Sequence, residues 1–416
     1  MRLNINTKAI ALAGMLIAAL NVNAQVISLD SVLKAIEAKN PMLQEYNQRI
    51  EAYSAYTEGA TSWMAPMVGF GPYWYPYPGQ EVEDRDKGFL MATLDQDIPN
   101  PSKLKANKNF LASRANVEKE GRLNQYNKLR AEAKTYYYAW LVSEEKLKVL
   151  DENEKIIELM LKLANIRYPY NQGSLGSIYK TEGRLYEVQN MKLMTKGDIE
   201  ELSYRLKSLM NLPHSANIMV DTTYKVKYEP DLMIQDTTAL TALRSDVRQI
   251  DKTIETMRLN KQLQSFQAKP DFRVRLEHMQ PLGDMPKQFT AMAMVSIPIA
   301  PWSSKMYKAE VKGLEFEIEA MKKSKEAILL EAQGMLSGMA AQLQRTQQQL
   351  ENYRLKIIPS LRKNYETIML AYEENREQLP VVIDGWEAMN MAQLEYLGKL
   401  SDYYNMIAAY EKELEK

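Results

Sequence analysis

The strongest constraint on what this chain can fold into is an internal duplication. The same succession of segments occurs twice, displaced by about 200 residues. Each copy reads as a helix, two short alternating strands, a very long helix, a tight turn and a returning helix. Trp63-Met-Ala-Pro66 ahead of Met67 matches Phe266-Gln-Ala-Lys-Pro270 ahead of Asp271, with the prolines 204 residues apart. Phe89 to Pro101 matches Phe289 to Pro301 at an offset of 200, and Tyr170-Asn-Gln-Gly173 matches Tyr372-Glu-Glu-Asn375 at 202. The expected first repeat therefore spans 25–213, with a helix over 30–64 punctuated at Asn40-Pro41, a strand pair within 67–98, a long helix over 102–168 and a return helix over 175–211. A polar, β-leaning connector occupies 214–237. The second repeat spans 238–416, with a helix over 238–267, a strand pair within 270–298, a long helix over 302–372 and a return helix over 382–414.

The long helices follow from composition. Between Pro101 and Pro169 lie 67 residues without proline, and between Pro301 and Pro359 lie 57. Both stretches are rich in Ala, Leu, Glu, Lys, Gln and Met, all strong helix formers. At 1.5 Å per residue, a helix of this length is roughly 100 Å long, which suits a coiled coil or helical tube. Val311, Leu314, Ile318, Met321, Ile328, Met335, Met339, Leu343 and Leu350 recur mostly at steps of three, four and seven, giving one apolar stripe. Pro101 and Pro301 stand at helix starts, with Ser102 and Ser303-Ser304 as capping candidates.

Four short segments alternate apolar and polar residues. In Asp271-Phe-Arg-Val-Arg-Leu-Glu277, period-two geometry puts Phe272, Val274 and Leu276 on one face and Asp271, Arg273, Arg275 and Glu277 on the other. Phe289 to Ile297 alternates more weakly. The first copy supplies Met67 to Tyr77, dense in aromatics, and Phe89 to Ile98. Such segments suit a half-buried soluble sheet. They equally suit membrane strands of about ten residues, apolar outside and charged inside, with an aromatic girdle. Four strands are too few to close a wide barrel, whereas three chains would supply twelve and leave no edge facing lipid.

The opening of the chain bears on that choice. Arg2 and Lys8, the apolar run Ala9 to Leu20, and Val22-Asn-Ala24 before Gln25 read as a secretory signal over residues 1–24; the competing reading is a short membrane anchor. The chain has no cysteine, so disulfides contribute nothing to its stability. Fifty-three basic residues balance fifty-three acidic ones, which gives no footprint for nucleic acid.

The order signal, helix, strand pair, long helix, turn and return helix, repeated, resembles the TolC-like outer-membrane efflux family. Its carriers are Ser28-Leu-Asp-Ser-Val-Leu-Lys-Ala-Ile-Glu-Ala-Lys-Asn-Pro41, Pro66 before the first strand, Ile297-Pro-Ile-Ala-Pro-Trp302, and the two tip turns. The resemblance covers the chain from about Ser28 to Glu415. It implies a mainly α fold with membrane β-strands, in which three protomers form a 12-stranded β-barrel continued by a long α-helical periplasmic tube. It implies a passive channel in the outer membrane, not an enzyme, contacting lipid and working with a periplasmic adaptor and an inner-membrane pump of the RND type. Heavy-metal cations or drugs are the cargo classes such a channel serves. The family's tip acid falls on Asp384, counterpart Glu182, and these would form the constriction; a further family acid falls on Val381. The resemblance places the tip turns and partner docking at Tyr170, Asn171, Gln172, Gly173, Tyr372, Asn375 and Arg376, with Gly173 and Asn375 at the position that favours positive φ. Asp271, Arg273, Arg275 and Glu277 would line the barrel lumen. A periplasmic adaptor or a coiled-coil scaffold also needs long helices, but an adaptor has one hairpin and glycine-rich β-domains, and this chain has two hairpins and 17 glycines.

Other chemistry is sparse. Tyr136-Tyr-Tyr138 with Trp140 reads as ligand stacking or as inter-helix packing. The 25 methionines read as copper(I) ligands or as core filler, most lying at stripe spacing. His214 and His278 stand alone, so no cofactor and no metal cluster is expected.

Overall fold

The computed structural model describes residues 25–228, 230 and 237–416; the secretory-signal reading of 1–24 and part of the connector at 214–237 lie outside them. In chain order the elements are β1 (Gln25–Ile27), α1 (Leu29–Lys39), α2 (Pro41–Gly59), β2 (Met67–Tyr73), β3 (Phe89–Ile98), α3 (Pro101–Arg167), α4 (Leu175–Leu209) and β4 (Ile218–Val220). They continue as α5 (Thr237–Leu243), α6 (Ser245–Ser265), β5 (Phe272–Pro281), β6 (Gln288–Val295), α7 (Pro301–Asn352), α8 (Ile358–Glu373) and α9 (Leu379–Glu413). The chain divides into two compact units, one holding residues up to Gln44 with Gln125–Leu243 and Glu331–Lys416, the other Glu45–Asn124 with Arg244–Leu330.

In the first unit, Ser28 caps α1 by accepting from Ser31 N at 3.3 Å. Val32 and Ile36 then fall on one helix face and are fully buried. Proline at 41 disfavours helical geometry in the residue before it, and Asn40 is extended at ψ 126°. The amide of Asn40 resolves the break: Oδ1 accepts from Met42 N at 3.0 Å while Nδ2 donates to Leu209 O at 2.8 Å. Strands β1 and β4 pair in parallel, Gln25 against Ile218 and Ile27 against Val220. Around them Leu129, Tyr137, Tyr138, Trp140, Leu206 and Met210 complete a core. The Tyr136-Tyr-Tyr138 and Trp140 cluster is thus packing: Tyr137 bonds Ile27 O and the Asp221 amide through its hydroxyl, and Trp140 Nε1 donates to Glu144. Burial pushes the Tyr137 hydroxyl up to about 12.

A second core in this unit gathers Leu150, Ile157, Met160, Val188, Met369, Val382, Trp386 and Met389. Within it, Trp386 Nε1 donates to Asn153 Oδ1 at 2.8 Å, and Asn153 Nδ2 donates to Gln393 at 3.0 Å and to Val149 O at 2.8 Å. Several methionines serve as core filler here, as their stripe spacing suggests.

The first long helix is one element of 67 residues. The second, read as one run over 302–372, is interrupted by a π-turn over Tyr353–Ile357 between α7 and α8. Pro359 lacks an amide hydrogen and its ring crowds the carbonyl one turn back; a local π-turn relieves that without ending the helix. Two other helix boundaries differ from the pattern reading. The first helix, broken into α1 and α2 at Asn40-Pro41 as its proline indicates, ends at Gly59 rather than Met64. The 238–267 helix is α5 and α6, split at an extended Arg244.

In the second unit, four strands form an antiparallel sheet in the order β2-β3-β5-β6. Strand β2 stops at Tyr73 instead of Tyr77 because Trp74 turns to φ 50°. Gly88 closes that hairpin at φ 79°, and a Cβ there would lie 2.5 Å from Trp74 O. Opposed residues share a face, so register fixes the composition of each side. One side carries Val68, Phe70, Leu94, Phe272, Val274, Leu276, Phe289 and Val295, all exposed. The other carries the charges.

Candidate functional site

The charged face of the sheet is built by register. Asp95 stands opposite Arg275 and Asp97 opposite Arg273. Arg275 Nη2 donates to Asp95 Oδ2 at 2.6 Å and its Nε to Oδ1 at 2.9 Å; Arg273 Nε donates to Asp97 Oδ1 at 2.5 Å. Glu277 approaches Arg275 only at 4.0 Å. The alternation in β5 identified Arg273, Arg275 and Glu277 as one face, and they share it here. Asp271 sits just before β5, where its carboxylate accepts from Asn100 N at 3.2 Å and from Lys103 Nζ at 2.6 Å. That couples the strand to the first turn of α3. Asp95, Asp97 and Lys103 escaped the sequence reading, although Asp95 and Asp97 already alternate within Phe89 to Ile98. A cavity of about 600 Å³ lies against this edge, lined by Met64, Asp97, Lys103, Asp271, Arg273 and Met294 among others.

The second set of candidate residues sits at the two turns of the first unit. Asn171 N donates to Tyr168 O at 3.1 Å and Gln172 N to Arg167 O at 3.3 Å; Asn375 N donates to Tyr372 O at 3.0 Å and Arg376 N to Ala371 O at 2.8 Å. Both turns therefore end their helices with the same carbonyl-capping pattern around a left-handed residue. That residue is Asn171 at φ 58° in one copy and Asn375 at φ 57° in the other. Gly173 does not take positive φ, which corrects its pairing with Asn375. By hydrogen-bond pattern the copies align at an offset of 204 here, so Tyr372 answers to Tyr168 rather than Tyr170. The counterpart of Asp384 is then Lys180, not Glu182. Between Pro101 and this turn the second copy is four residues longer than the first. Four residues are close to one helical turn, so the apolar stripe survives the insertion.

These counterparts touch. Lys180 Nζ donates to Asp384 Oδ1 at 3.0 Å, and one turn on, Arg184 Nε donates to Glu387 Oε1 at 2.6 Å. Hydrogen bonds to Glu187 and then Glu387 hold the Arg184 guanidinium above its ordinary range. Glu182, on the same helix, is half-buried. Arg167 joins the two turns, its guanidinium donating to the carbonyls of Tyr372 at 2.5 Å and Glu373 at 2.8 Å. A cavity of about 490 Å³ lies against Arg167, Asn171, Gln172, Gly173, Ser177 and Asn375. Tyr170 and Arg376 are exposed and do not line it.

Among the described residues, no group of three or more His, Asp or Glu side chains is placed to hold a metal ion. Among the same residues, no helix is long and apolar enough to cross a membrane.

No protein-family model matches the chain, and no curated protein matches it by sequence. Solved structures match it closely in fold. A membrane protein from Pseudomonas aeruginosa superimposes at a TM-score of 0.77 and 11% identity, over 93% of this chain and 90% of that one. The outer membrane protein VceC from Vibrio cholerae matches at 0.74 and 12% identity, over 93% of this chain and 95% of its own. The open state of the MtrE outer membrane channel of Neisseria gonorrhoeae matches at 0.74 and 12% identity, over 93% and 88%. The chain therefore has the mainly helical, few-stranded fold of the outer-membrane channels, in agreement with the TolC-like resemblance read from segment order.

Proposed function

We propose that the chain is the outer-membrane channel of a tripartite exporter, acting as a homotrimer and conducting passively. One observation carries this reading: a four-stranded sheet with an exposed, largely apolar face interrupted by His278 and Gln280, a paired charged face, and two edges, β2 and β6, that have no strand partner among the described residues of the protomer. A single copy cannot satisfy those edges in hydrocarbon, where each unpaired backbone group costs several kcal/mol. Joining β2 of one copy to β6 of the next, three times over, gives a closed sheet of twelve strands with the apolar face outward. Trp74, Tyr75 and Tyr77 beyond one end of the strands, and Trp63 and Trp302 near the other, are exposed and stand where aromatic girdles meet the two interfaces.

Inside such a barrel, Asp95, Asp97, Arg273, Arg275 and Glu277 line the lumen as mutually compensating charges. The long helices continue as a periplasmic tube, and the turns around Asn171 and Asn375 are its tip. There Asp384 rings the entrance with Glu182 near it, and the turn residues Tyr170, Gln172, Gly173 and Arg376 offer the surface on which a periplasmic adaptor, coupled to an inner-membrane pump of the RND type, docks; Tyr372, expected among them, is buried beneath the Arg167 guanidinium and presents no surface. Heavy-metal cations or drugs are the cargo. The apolar sheet face and the fold shared with the outer-membrane channels support an outer-membrane location.

Planar-bilayer recording of the purified chain, with its mass measured in detergent, tests the proposal. A conducting trimer is expected. A chain that stays monomeric without detergent and passes no current overturns it. At the tip, Asp384→Ala is expected to weaken block by multivalent cations and Lys180→Ala to strengthen it, because the lysine neutralises the acid.

A further inference from the structure

We propose that Met91 and Met279 form a thioether site for a soft monovalent cation on the charged face of the sheet. The placement of this site in a conduit rests on the channel reading above; the binding geometry does not. Register sets the two residues directly opposite each other on β3 and β5. They share the face that carries Asp95, Arg275 and Glu277, and both are half-buried, held by the sheet yet open to solution. Opposed residues in an antiparallel pair have Cβ atoms about 4.5–5.5 Å apart. The three rotatable bonds of each methionine let both sulfurs turn onto one ion lying between them.

The surroundings suit a cation. Glu277 lies two residues before Met279 on the same face, with only the 4.0 Å approach to Arg275, whose short hydrogen bonds go to Asp95. Its carboxylate is the charge nearest in sequence and face that can compensate a bound monovalent ion. Gln288 stands opposite Met279 on β6 and Gly71 opposite Met91 on β2, so the row reads glycine, methionine, methionine, glutamine. A Cβ added at Gly71 would meet nothing within 4 Å, which leaves that flank open for entry.

The donor set decides the ion. Thioethers are soft ligands and select copper(I) and its congener silver(I), whereas zinc takes thiolate, imidazole and carboxylate, and calcium and magnesium take oxygen. The chain has no cysteine to compete, and His278 occupies the opposite face of the sheet. A two-sulfur site is weak enough to release its ion, as a relay along a conduit requires.

The test uses the mature chain in detergent with methionine methyls labelled by carbon-13, titrated with silver nitrate in chloride-free buffer. Silver(I) is expected to shift two methyl resonances saturably. Met91→Leu and Met279→Leu, both volume-conserving, should each remove one resonance and weaken the shift of the other at least about tenfold. Met292→Leu, on the same face but opposite Arg275, should leave both shifts intact, and zinc(II) should produce none. Equal silver shifts in the wild-type chain and in Met91→Leu overturn the site, as does the absence of any shift. Conductance recorded on the same preparation separates the two readings: methyl shifts without current uphold the site and remove the channel, and current without shifts removes the site alone.

Discussion

The Arg167 guanidinium lies 4.2 Å from the centroid of the Tyr372 ring and donates to the main-chain carbonyl of that same residue at 2.5 Å. One side chain at the end of α3 thereby fixes the end of α8, joining equivalent points of the two structural copies. Stacking and charge-assisted hydrogen bonds act together there, and lysine cannot reproduce the forked geometry. Arg167→Ala is expected to lower stability by about 2 kcal/mol and to expose both turns to protease. Arg167→Lys should recover less than half of the loss. Limited proteolysis with mapping of the cut sites checks this, and an unchanged cleavage rate in the alanine variant would count against it.

Asn153 holds three groups in a largely apolar core, accepting from Trp386 and donating to Gln393 and to Val149 O. Asn153→Leu leaves the indole N–H and the Gln393 carbonyl buried without partners. The expected cost is about 2–3 kcal/mol, measured by chemical denaturation. The double variant Asn153→Leu with Trp386→Phe should be milder than the sum of the singles, because the orphaned indole donor is removed with its partner.

The carboxylate of Glu154 accepts from Lys192 and from Gln189, and these bonds, the lysine first, hold it below its ordinary range. A carboxylate lowered in the folded state stabilises the fold fully above its unfolded value and loses that contribution as pH falls through the folded one. Stability of the native chain should therefore decline on the acid side of the ordinary glutamate value of 4.5. Glu154→Gln is expected to cost about 1 kcal/mol at neutral pH and to flatten the acid limb of a thermal-melt series. Parallel limbs in the two proteins would show that the pair contributes nothing.

Arg275 is bound to Asp95, of which 11% of the side chain is accessible. Truncating the arginine strands that carboxylate, so Arg275→Ala should destabilise more than Arg275→Ala combined with Asp95→Asn. Thermal unfolding in detergent ranks the two, and the opposite order would assign the arginine a role unrelated to this partner.

Segment order was legible because its signals are local. Proline spacing marks the long helices, alternation marks the strands, and β5 announces both of its faces in seven residues. The break at Asn40-Pro41 follows from the proline alone. The π-turn before Pro359 does not, because a helix can end, kink or widen at a proline, and the sequence pattern does not choose among the three. The tip was legible in composition but not in register. Matching tyrosines suggested an offset of 202, while helix ends are set by which carbonyls find donors, and those set 204. That difference replaces Glu182 by Lys180 as the partner of Asp384, a change no letter pattern carries.

By itself, the sequence determined the duplication, the element types and the two-faced strands, since each depends on backbone sterics and side-chain period within one segment. Tertiary structure alone decided which strand lies beside which. Asp95 meets Arg275, and Met91 meets Met279, because β3 and β5 pair across a gap of more than 170 residues in a register fixed by cross-strand hydrogen bonds. A shift of one residue would turn every side chain of β5 to the other face.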